Sequence, residues 1–180
     1  VGVESIITSD IETIKKADKY LLPGVGSFDH GINSLKNAPF FQVLEKEVLE
    51  NKKPILGICL GMQLLTNSSE EGKEKGLGWI DAQTIKFDLE DKSLSIPHMG
   101  WNKTNPTNTN DVFKNLEDNR FYFVHSYHVV CNNEKNILAS SYYGQTFTCS
   151  IYKDNIYGVQ FHPEKSHKFG MQLLKNFGDM

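Results

Sequence analysis

The sequence has 180 residues, a formal net charge of −3 at pH 7, 39% hydrophobic residues and 23% charged residues. This composition is typical of a single globular domain that buries its own core, and it excludes a disordered chain. The mild negative charge argues against nucleic acid or an anionic membrane as a partner, and no apolar run approaches the roughly 18 residues of a spanning helix. Because the N-terminus also lacks the pattern of a secretory signal, we expect a cytoplasmic protein.

The first part of the chain alternates predicted strands with predicted helices. Strands are predicted at 3–7, 20–22 and 55–58, and helices at 10–17, 27–36, 40–50 and 60–65. Ser9 and Glu12 match a capping box at the start of the first helix. This alternation predicts an α/β fold with a mostly parallel central sheet that is flanked by helices on both faces.

The second part of the chain is richer in strands. Strand-like runs occur at 79–87, 120–130, 137–142, 147–152 and 156–159, and a final helix is predicted near 168–177. These runs favour an antiparallel extension of the sheet. The stretch 102–111 is rich in Asn and Thr, which predicts a surface loop.

The most informative segment runs from an apolar strand through Gly57-Ile58-Cys59-Leu60-Gly61 directly into a helix. This spacing is typical of a nucleophile elbow, a sharp turn whose flanking glycines avoid clashes with nearby backbone. The turn exposes the Cys59 thiol at the carboxyl end of the sheet. Because Cys59 lies at a helix N-terminus, we expect the thiolate to be favoured, and the N–H of Leu60 is a candidate donor to an oxyanion.

A thiol nucleophile needs a base, and the base needs an orienting group. His162 and Glu164 supply both, because residues two apart in an extended segment point to the same side. His162 is far from Cys59 in the sequence, so their meeting is a prediction about the fold. The turn containing Gly24 and Val25 follows a strand and is a second, weaker candidate for oxyanion donors.

The remaining cysteines and histidines have simpler interpretations. Cys131 and Cys149 are expected to be packed free thiols, since the cysteines lack the spacing of a disulfide framework or a zinc site. His125 and His128 lie three apart in a predicted strand and should face opposite sides, so a shared metal is not expected. His30 and His167 are expected to be structural residues.

Five motifs together resemble one known family, the class I glutamine amidotransferases. They are LPGVGSF at 22–28, GICLGMQ at 57–63, PHMGWN at 97–102, FYFVHSY at 121–127 and GVQFHPEKS at 158–166. Within the family, the sequence is most similar to the glutaminase subunits of imidazole glycerol phosphate synthases. The resemblance implies a flavodoxin-like α/β fold and hydrolysis of glutamine to glutamate and ammonia, without metal or cofactor.

The resemblance also implies roles for individual residues. The catalytic residues would be Cys59, His162 and Glu164. The oxyanion would be surrounded by Gly24, Val25 and Leu60. The amino-acid end of glutamine would be held by Gln63, Glu71, Ser126 and Tyr127. Ammonia would pass to a (β/α)₈-barrel cyclase subunit, the heterodimer partner, which would be faced by Trp101, Asn102, Tyr122 and Lys165. For His98 and Trp101 the alternatives are a packed turn or this partner surface, and we favour the partner surface.

The resemblance covers residues 1–180 as a single glutaminase domain that lacks the first strand and helix of the family. In a flavodoxin-like sheet that strand is central, so a gap inside the sheet is expected. Three other functions stay open at this point. The chain resembles a related glutaminase subunit that supplies a sugar amidotransferase in surface-glycan synthesis almost equally well. The residues also allow a stand-alone cysteine hydrolase or a non-catalytic binding protein.

Overall fold

The computed structural model describes residues 1–107, 111–116 and 118–180, which form helices around one mixed β-sheet. The helices are α1 (Ile11–Lys16), α2 (Phe28–Lys36), α3 (Phe41–Leu49), α4 (Leu60–Leu64) and α5 (His167–Asp179). The strands are β1 (Tyr20–Gly24), β2 (Ile55–Cys59), β3 (Ser68–Ser69), β4 (Ala82–Lys86), β5 (His98–Pro106), β6 (Arg120–His125), β7 (Tyr127–Cys131), β8 (Ile137–Tyr143), β9 (Gln145–Lys153) and β10 (Ile156–Val159). The predicted α/β fold is therefore confirmed.

The parallel part of the sheet consists of three strands, with β2 between β1 and β10. All five residues of β2 are buried, as expected for a strand covered on both faces. The register places Gly24 opposite Cys59 at the carboxyl ends of β1 and β2. The glycine turn that follows β1 and the cysteine at the end of β2 therefore lie at the same edge of the sheet.

The antiparallel part is larger than predicted. From β10 the sheet continues through β9, β7 and β4 to the short strand β3. A second arm leaves β9 through β8 and β5 and ends at β6. An isolated bridge between Tyr122 on β6 and His162 returns this arm to the end of β10. The sheet thereby curls, and β6 comes to lie beside the segment that follows β10.

Helices cover both faces of the parallel strands. On one face, Phe28 and Ile32 of α2 and Val48 of α3 pack with Ile55 in one hydrophobic cluster. On the other face, Leu173 and Phe177 of α5 belong to a cluster that includes Leu56 and Val159. In the described parts of the chain, no helix is both long and apolar enough to cross a membrane.

The N-terminal expectations were wrong in two respects. Residues 3–7 form no strand and are exposed, because no strand of the described sheet pairs with them and β1 is an edge strand. The first helix is capped by Asp10 and not by Ser9 with Glu12. The Asp10 carboxylate accepts the backbone N–H and the hydroxyl proton of Thr13, at 2.8 and 2.7 Å.

The expectation of a surface loop over 102–111 was also wrong for residues 102–106. These residues continue β5, which pairs with β6 and β8. The abundance of Asn and Thr led to the wrong prediction, because an antiparallel strand can also present polar side chains to solvent on one face. In β5 the inward positions are themselves polar, with His98 and Thr104 buried. The part of the prediction at 108–110 lies outside the described residues.

Replacing Gly61 by Ala should destabilise the fold, because the new methyl group would collide with the carbonyl oxygen of Leu22. We expect the free energy of unfolding, measured by urea denaturation, to fall by about 2 kcal/mol, as for other overpacked sites. The control is Asn33→Ala on the exposed side of α2, which should change it by less than about 0.5 kcal/mol. A loss no larger than that of the control would contradict the close approach of α4 to β1.

Candidate active site

Cys59 lies in a strained turn between β2 and α4. Its backbone has φ 54° and ψ −111°, a conformation that side-chain-bearing residues rarely adopt. The turn is tight because a Cβ at Gly57 would lie 2.7 Å from the backbone of Gly61. Such strain costs on the order of 1–3 kcal/mol and persists only where the surroundings enforce it. The predicted nucleophile elbow is therefore present in the structure.

His162 and Glu164 interact directly. The Nδ1 atom of His162 lies 2.7 Å from Oε1 of Glu164, although residues 163–165 form a 3₁₀ turn and not an extended segment. A carboxylate accepts only, so Nδ1 of His162 donates this hydrogen bond, and Nε2 is left as the nitrogen that can act as a base. The Nε2 atom is buried and has no hydrogen-bond partner among the described residues.

Cys59 and His162 line the same cavity, which has a volume of about 310 Å³. The other lining residues are Val25, Gly26, Leu60, Gln63, Glu71, Val124, His125, Ser126, Tyr127 and Lys165. The structure thus brings together most of the residues predicted for the site. Gly24 does not line the cavity, but it lies beside the elbow, where a Cβ would be 3.1 Å from the backbone nitrogen of Gly61.

The sequence-based expectation that the Cys59 thiolate is favoured was wrong for the unliganded protein. Burial raises the pKa of Cys59 to about 11, and the hydrogen bond from the N–H of Leu60 only partly offsets it. Glu164 raises this pKa further, whereas Lys165 and a hydrogen bond from Gln160 lower it. At neutral pH the sulfur is therefore protonated, and a base is needed to activate it.

Glu71 is fixed at the cavity by the first turn of α2. Its Oε2 atom accepts the backbone N–H of Phe28 at 2.8 Å. The loop around Glu71 is held in turn by Asp29, whose carboxylate accepts the backbone N–H groups of Lys73 and Glu74 at 3.0 Å. These hydrogen bonds lower the pKa of Asp29, so the contact is charge-assisted. The loop and the helix therefore hold each other in place.

Gln160 is a site residue that the sequence analysis did not assign. Its side chain is fully buried, and its Nε2 atom lies 3.7 Å from Sγ of Cys59. Its Oε1 atom accepts a hydrogen bond from Nε2 of Gln63 at 3.0 Å. The sequence did contain a signal for this position. Gln160 is two residues before His162 in the segment that continues β10, and residues two apart in an extended segment point to the same side.

The residues predicted to face a partner lie outside the cavity, apart from Lys165. Trp101 is 47% exposed, stacks on His167 with ring centroids 5.5 Å apart, and meets Tyr122 edge-on at 6.3 Å. The backbone carbonyl of Tyr122 accepts the N–H of His162 at 2.9 Å. The surface around Trp101 is thus joined by one hydrogen bond to the backbone of the histidine in the cavity.

His98 does not share this surface. It is only 3% exposed, and it lies within strand β5 and not in a turn. The expectation that His98 belongs to the partner surface was therefore wrong. Successive side chains of a strand point to opposite faces, so residues three apart also lie on opposite faces. His98 therefore points into the protein and Trp101 points to solvent.

Comparisons with known proteins agree with this geometry. Residues 3–179 match the family model of the glutamine amidotransferase class-I domain. The chain belongs to the class-I glutamine amidotransferase family. It is therefore a glutamine amidotransferase, an enzyme with glutaminase activity.

Curated relatives in this family match over nearly the whole chain. Imidazole glycerol phosphate synthase subunit HisH 2 of Methanococcus maripaludis is 58% identical over 98% of this chain and 88% of its own length. The protein of the same name from Pseudomonas aeruginosa is 46% identical over 100% of this chain and 89% of its own.

A solved structure supports the fold alone. The crystal structure of a glutamine amidotransferase aligns with a TM-score of 0.69 at 16% identity, covering 98% of this chain and 88% of that one.

Alkylation of Cys59 by iodoacetamide should accelerate with pH up to about 11, because burial raises the pKa of this thiol. An exposed thiol would level off near its ordinary pKa of about 8.5. Peptide mass spectrometry over a pH series measures the rate, and Cys131, whose pKa burial raises to about 12, is the internal comparison. A plateau below pH 9 would show that the free enzyme stabilises the thiolate.

Proposed function

We propose that this chain is the glutaminase subunit of a cytoplasmic imidazole glycerol phosphate synthase and that Cys59, His162 and Glu164 are its catalytic residues. One observation carries the assignment of the residues. The buried Nε2 atom of His162 has no hydrogen-bond partner in the described chain, while Nδ1 is bound to Glu164 and the ring lines a cavity with the Cys59 thiol. The full-length similarity to the HisH subunits supports the assignment of the pathway.

The chemistry follows from the protonation states. Nε2 of His162 takes the proton of the thiol as Sγ of Cys59 attacks the carboxamide carbon of glutamine. The resulting imidazolium gives this proton to the leaving nitrogen, and ammonia departs. A γ-glutamyl thioester remains on Cys59. His162 then removes a proton from water, which attacks the thioester. The C–S bond breaks, glutamate is released, and the leaving sulfur of Cys59 takes the proton back from the imidazolium. Glu164 stabilises the imidazolium in both steps.

The oxyanion of each tetrahedral intermediate would be stabilised by backbone N–H groups near Cys59. The N–H of Leu60 already lies at Sγ, where it lowers the pKa of the thiol. Val25 is at the cavity rim, and Gly24 is opposite Cys59 in the sheet. We assign these three residues to the oxyanion site, because preorganised donors at the elbow act where the negative charge develops.

The amino-acid end of glutamine would be held on the opposite side of the cavity. Glu71 supplies a carboxylate for the substrate ammonium, and its position is fixed by the N–H of Phe28. Gln63, Ser126 and Tyr127 also line the cavity, and we assign them to the same role. The cavity volume of about 310 Å³ lies at the small end of the range for ligand sites, which suits a single amino acid.

The ammonia would be delivered to a (β/α)₈-barrel cyclase subunit. The names of the curated relatives describe them as subunits of a synthase, which supports a partner for this chain. Trp101, Asn102, Tyr122 and Lys165 are the residues that we assign to its interface. Exposed aromatic side chains such as Trp101 are typical anchors of protein interfaces.

Cys59→Ala should lower glutamine-dependent synthesis by the complex at least about a thousandfold, because the covalent intermediate cannot form. Ammonia-dependent synthesis by the same complex should stay at the wild-type rate. Both rates are measured as product formation with glutamine or with an ammonium salt as the nitrogen source. Cys131→Ala is the control and should change neither. If glutamine still supported synthesis in Cys59→Ala, the proposed mechanism would be wrong.

Glu71→Gln should raise the KM for glutamine about tenfold or more with a smaller change in kcat, because a hydrogen bond to a charged group is lost. Gln at this position can still accept the N–H of Phe28. Glu74→Gln is the matched control, since only the backbone N–H of Glu74 takes part in the hydrogen bonds that hold the loop. Equal KM values in the two variants would place the substrate ammonium elsewhere.

A further inference from the structure

Two buried histidines connect the cavity wall with Asn102. His98 on β5 and His125 on β6 face each other across the antiparallel pair and are 3% and 6% exposed. Nδ1 of His98 is 3.0 Å from Nε2 of His125. His125 also lines the cavity, whereas the proposed mechanism gives neither ring a role.

The hydrogen-bond partners fix where each proton lies. Nδ1 of His125 is 2.7 Å from the carbonyl oxygen of Tyr127, which only accepts, so this nitrogen carries the proton. Nε2 of the neutral His125 ring is then an acceptor, and Nδ1 of His98 donates to it. Nε2 of His98 must accept in turn, and the side-chain amide of Asn102 donates to it at 3.3 Å. The other amide proton of Asn102 goes to the carbonyl of Tyr142 at 2.8 Å.

The surroundings keep both imidazoles neutral. The ring of His98 is stacked between Tyr143 and Phe123, with centroids 4.1 and 4.9 Å away, and Phe87 and Phe147 pack against both histidines. Burial in this apolar cluster lowers the pKa of His98 to about 4 and that of His125 to about 3. A second proton on either ring would also direct two N–H groups at each other.

The chain of hydrogen bonds continues into the catalytic site. The carbonyl oxygen of Tyr127 also accepts a hydrogen bond from Nε2 of Gln63, at 3.4 Å. Gln63 donates to Gln160, and Gln160 donates to Sγ of Cys59. A continuous series of buried and partly buried polar contacts therefore connects Asn102 with Cys59, and each donor in it has an acceptor.

We propose that His98 and His125 are positioning residues that couple Asn102, on the strand facing the partner, to the part of the glutamine site formed by Ser126 and Tyr127. The proposal rests on the proposed function, because it assigns a regulatory contact to the same site. The imidazole pair acts as a rigid connection. Displacing Asn102 leaves Nε2 of His98 without its donor. If the proton of His125 moves from Nδ1 to Nε2 in response, the hydrogen bond to the carbonyl of Tyr127 is broken. A partner that engages Asn102 therefore changes how Tyr127 is held.

Two substitutions at His98 separate the two contacts of its ring. His98→Asn keeps a donor close to the position of Nδ1 and loses the acceptor that faces Asn102. His98→Gln keeps an acceptor near the position of Nε2 and loses the donor to His125. The matched control is Tyr143→Phe, which keeps the ring that stacks on His98 and loses only a hydroxyl bound to the carbonyl of Ser95.

The variants are compared as complexes with the partner subunit. His98→Gln should raise the KM for glutamine about fivefold to tenfold, the effect of losing one buried hydrogen bond. His98→Asn should keep the KM within about twofold but lose most of the stimulation of glutaminase by the liganded partner. Tyr143→Phe should match the wild type in both, and ammonia-dependent synthesis should not change. A merely structural role would give both His98 variants the same KM and the same stimulation, and that result would overturn the proposal.

Histidine tautomers test the connection independently of catalysis. In full-length protein labelled with ¹⁵N-histidine, both rings should be neutral with the proton on Nδ1 between about pH 5 and pH 8. A proton on Nε2 of either ring would overturn the proposal, even if one of the variants did not fold. If the wild-type complex failed to hydrolyse glutamine, the proposed function would be wrong, and the tautomers would still decide whether the connection exists.

Discussion

The parallel pairing of β2 with both β1 and β10 is the constraint on which the site depends. Because β2 lies between these two strands, its carboxyl end fixes three things together. It sets the Cys59 turn, it places Gly24 beside that turn, and it directs the chain leaving β10 toward His162. The positive φ of Cys59 is tolerated because glycines on both sides let α4 lie directly against β1. The sheet therefore builds the elbow and aligns its partners in one step.

Burial affects both side chains that we assign to the reaction, Cys59 and His162. It raises the pKa of the Cys59 thiol to about 11, so the sulfur is protonated at neutral pH in the unliganded protein. It also leaves Nε2 of His162 without a hydrogen-bond partner among the described residues, while the half-exposed Glu164 binds Nδ1 on the other side of the ring. In the proposed mechanism, the protonated thiol and Nε2 of His162 react only when a substrate in their shared cavity completes the geometry.

The β5–β6 arm explains how a distant surface can bear on the cavity. Trp101 and Tyr122 lie on its outer side, His98 and His125 on its inner side, and the segment after β6 forms the cavity wall. The same two strands therefore present aromatic side chains outward and a buried histidine pair inward. The hydrogen bonds of His98 and His125 each have a fixed donor and acceptor. Reorienting either ring would therefore break at least one of them, which restricts local rearrangement of the arm. In the proposed coupling, a displacement of Asn102 is therefore transmitted through the two histidines to Tyr127.

The sequence by itself determined the fold class and the elbow at Cys59, since these depend on strand periodicity and local spacing. It also predicted the contact of His162 with Glu164, although a 3₁₀ turn and not an extended segment brings the two side chains together. It misplaced residues 3–7 and 102–106, because a strand exists only where another strand accepts its hydrogen bonds. It also missed the raised pKa of Cys59. Only the tertiary structure decided that Gln160 reaches the sulfur and that His98 meets His125, because desolvation and contacts between distant strands arise when the chain folds.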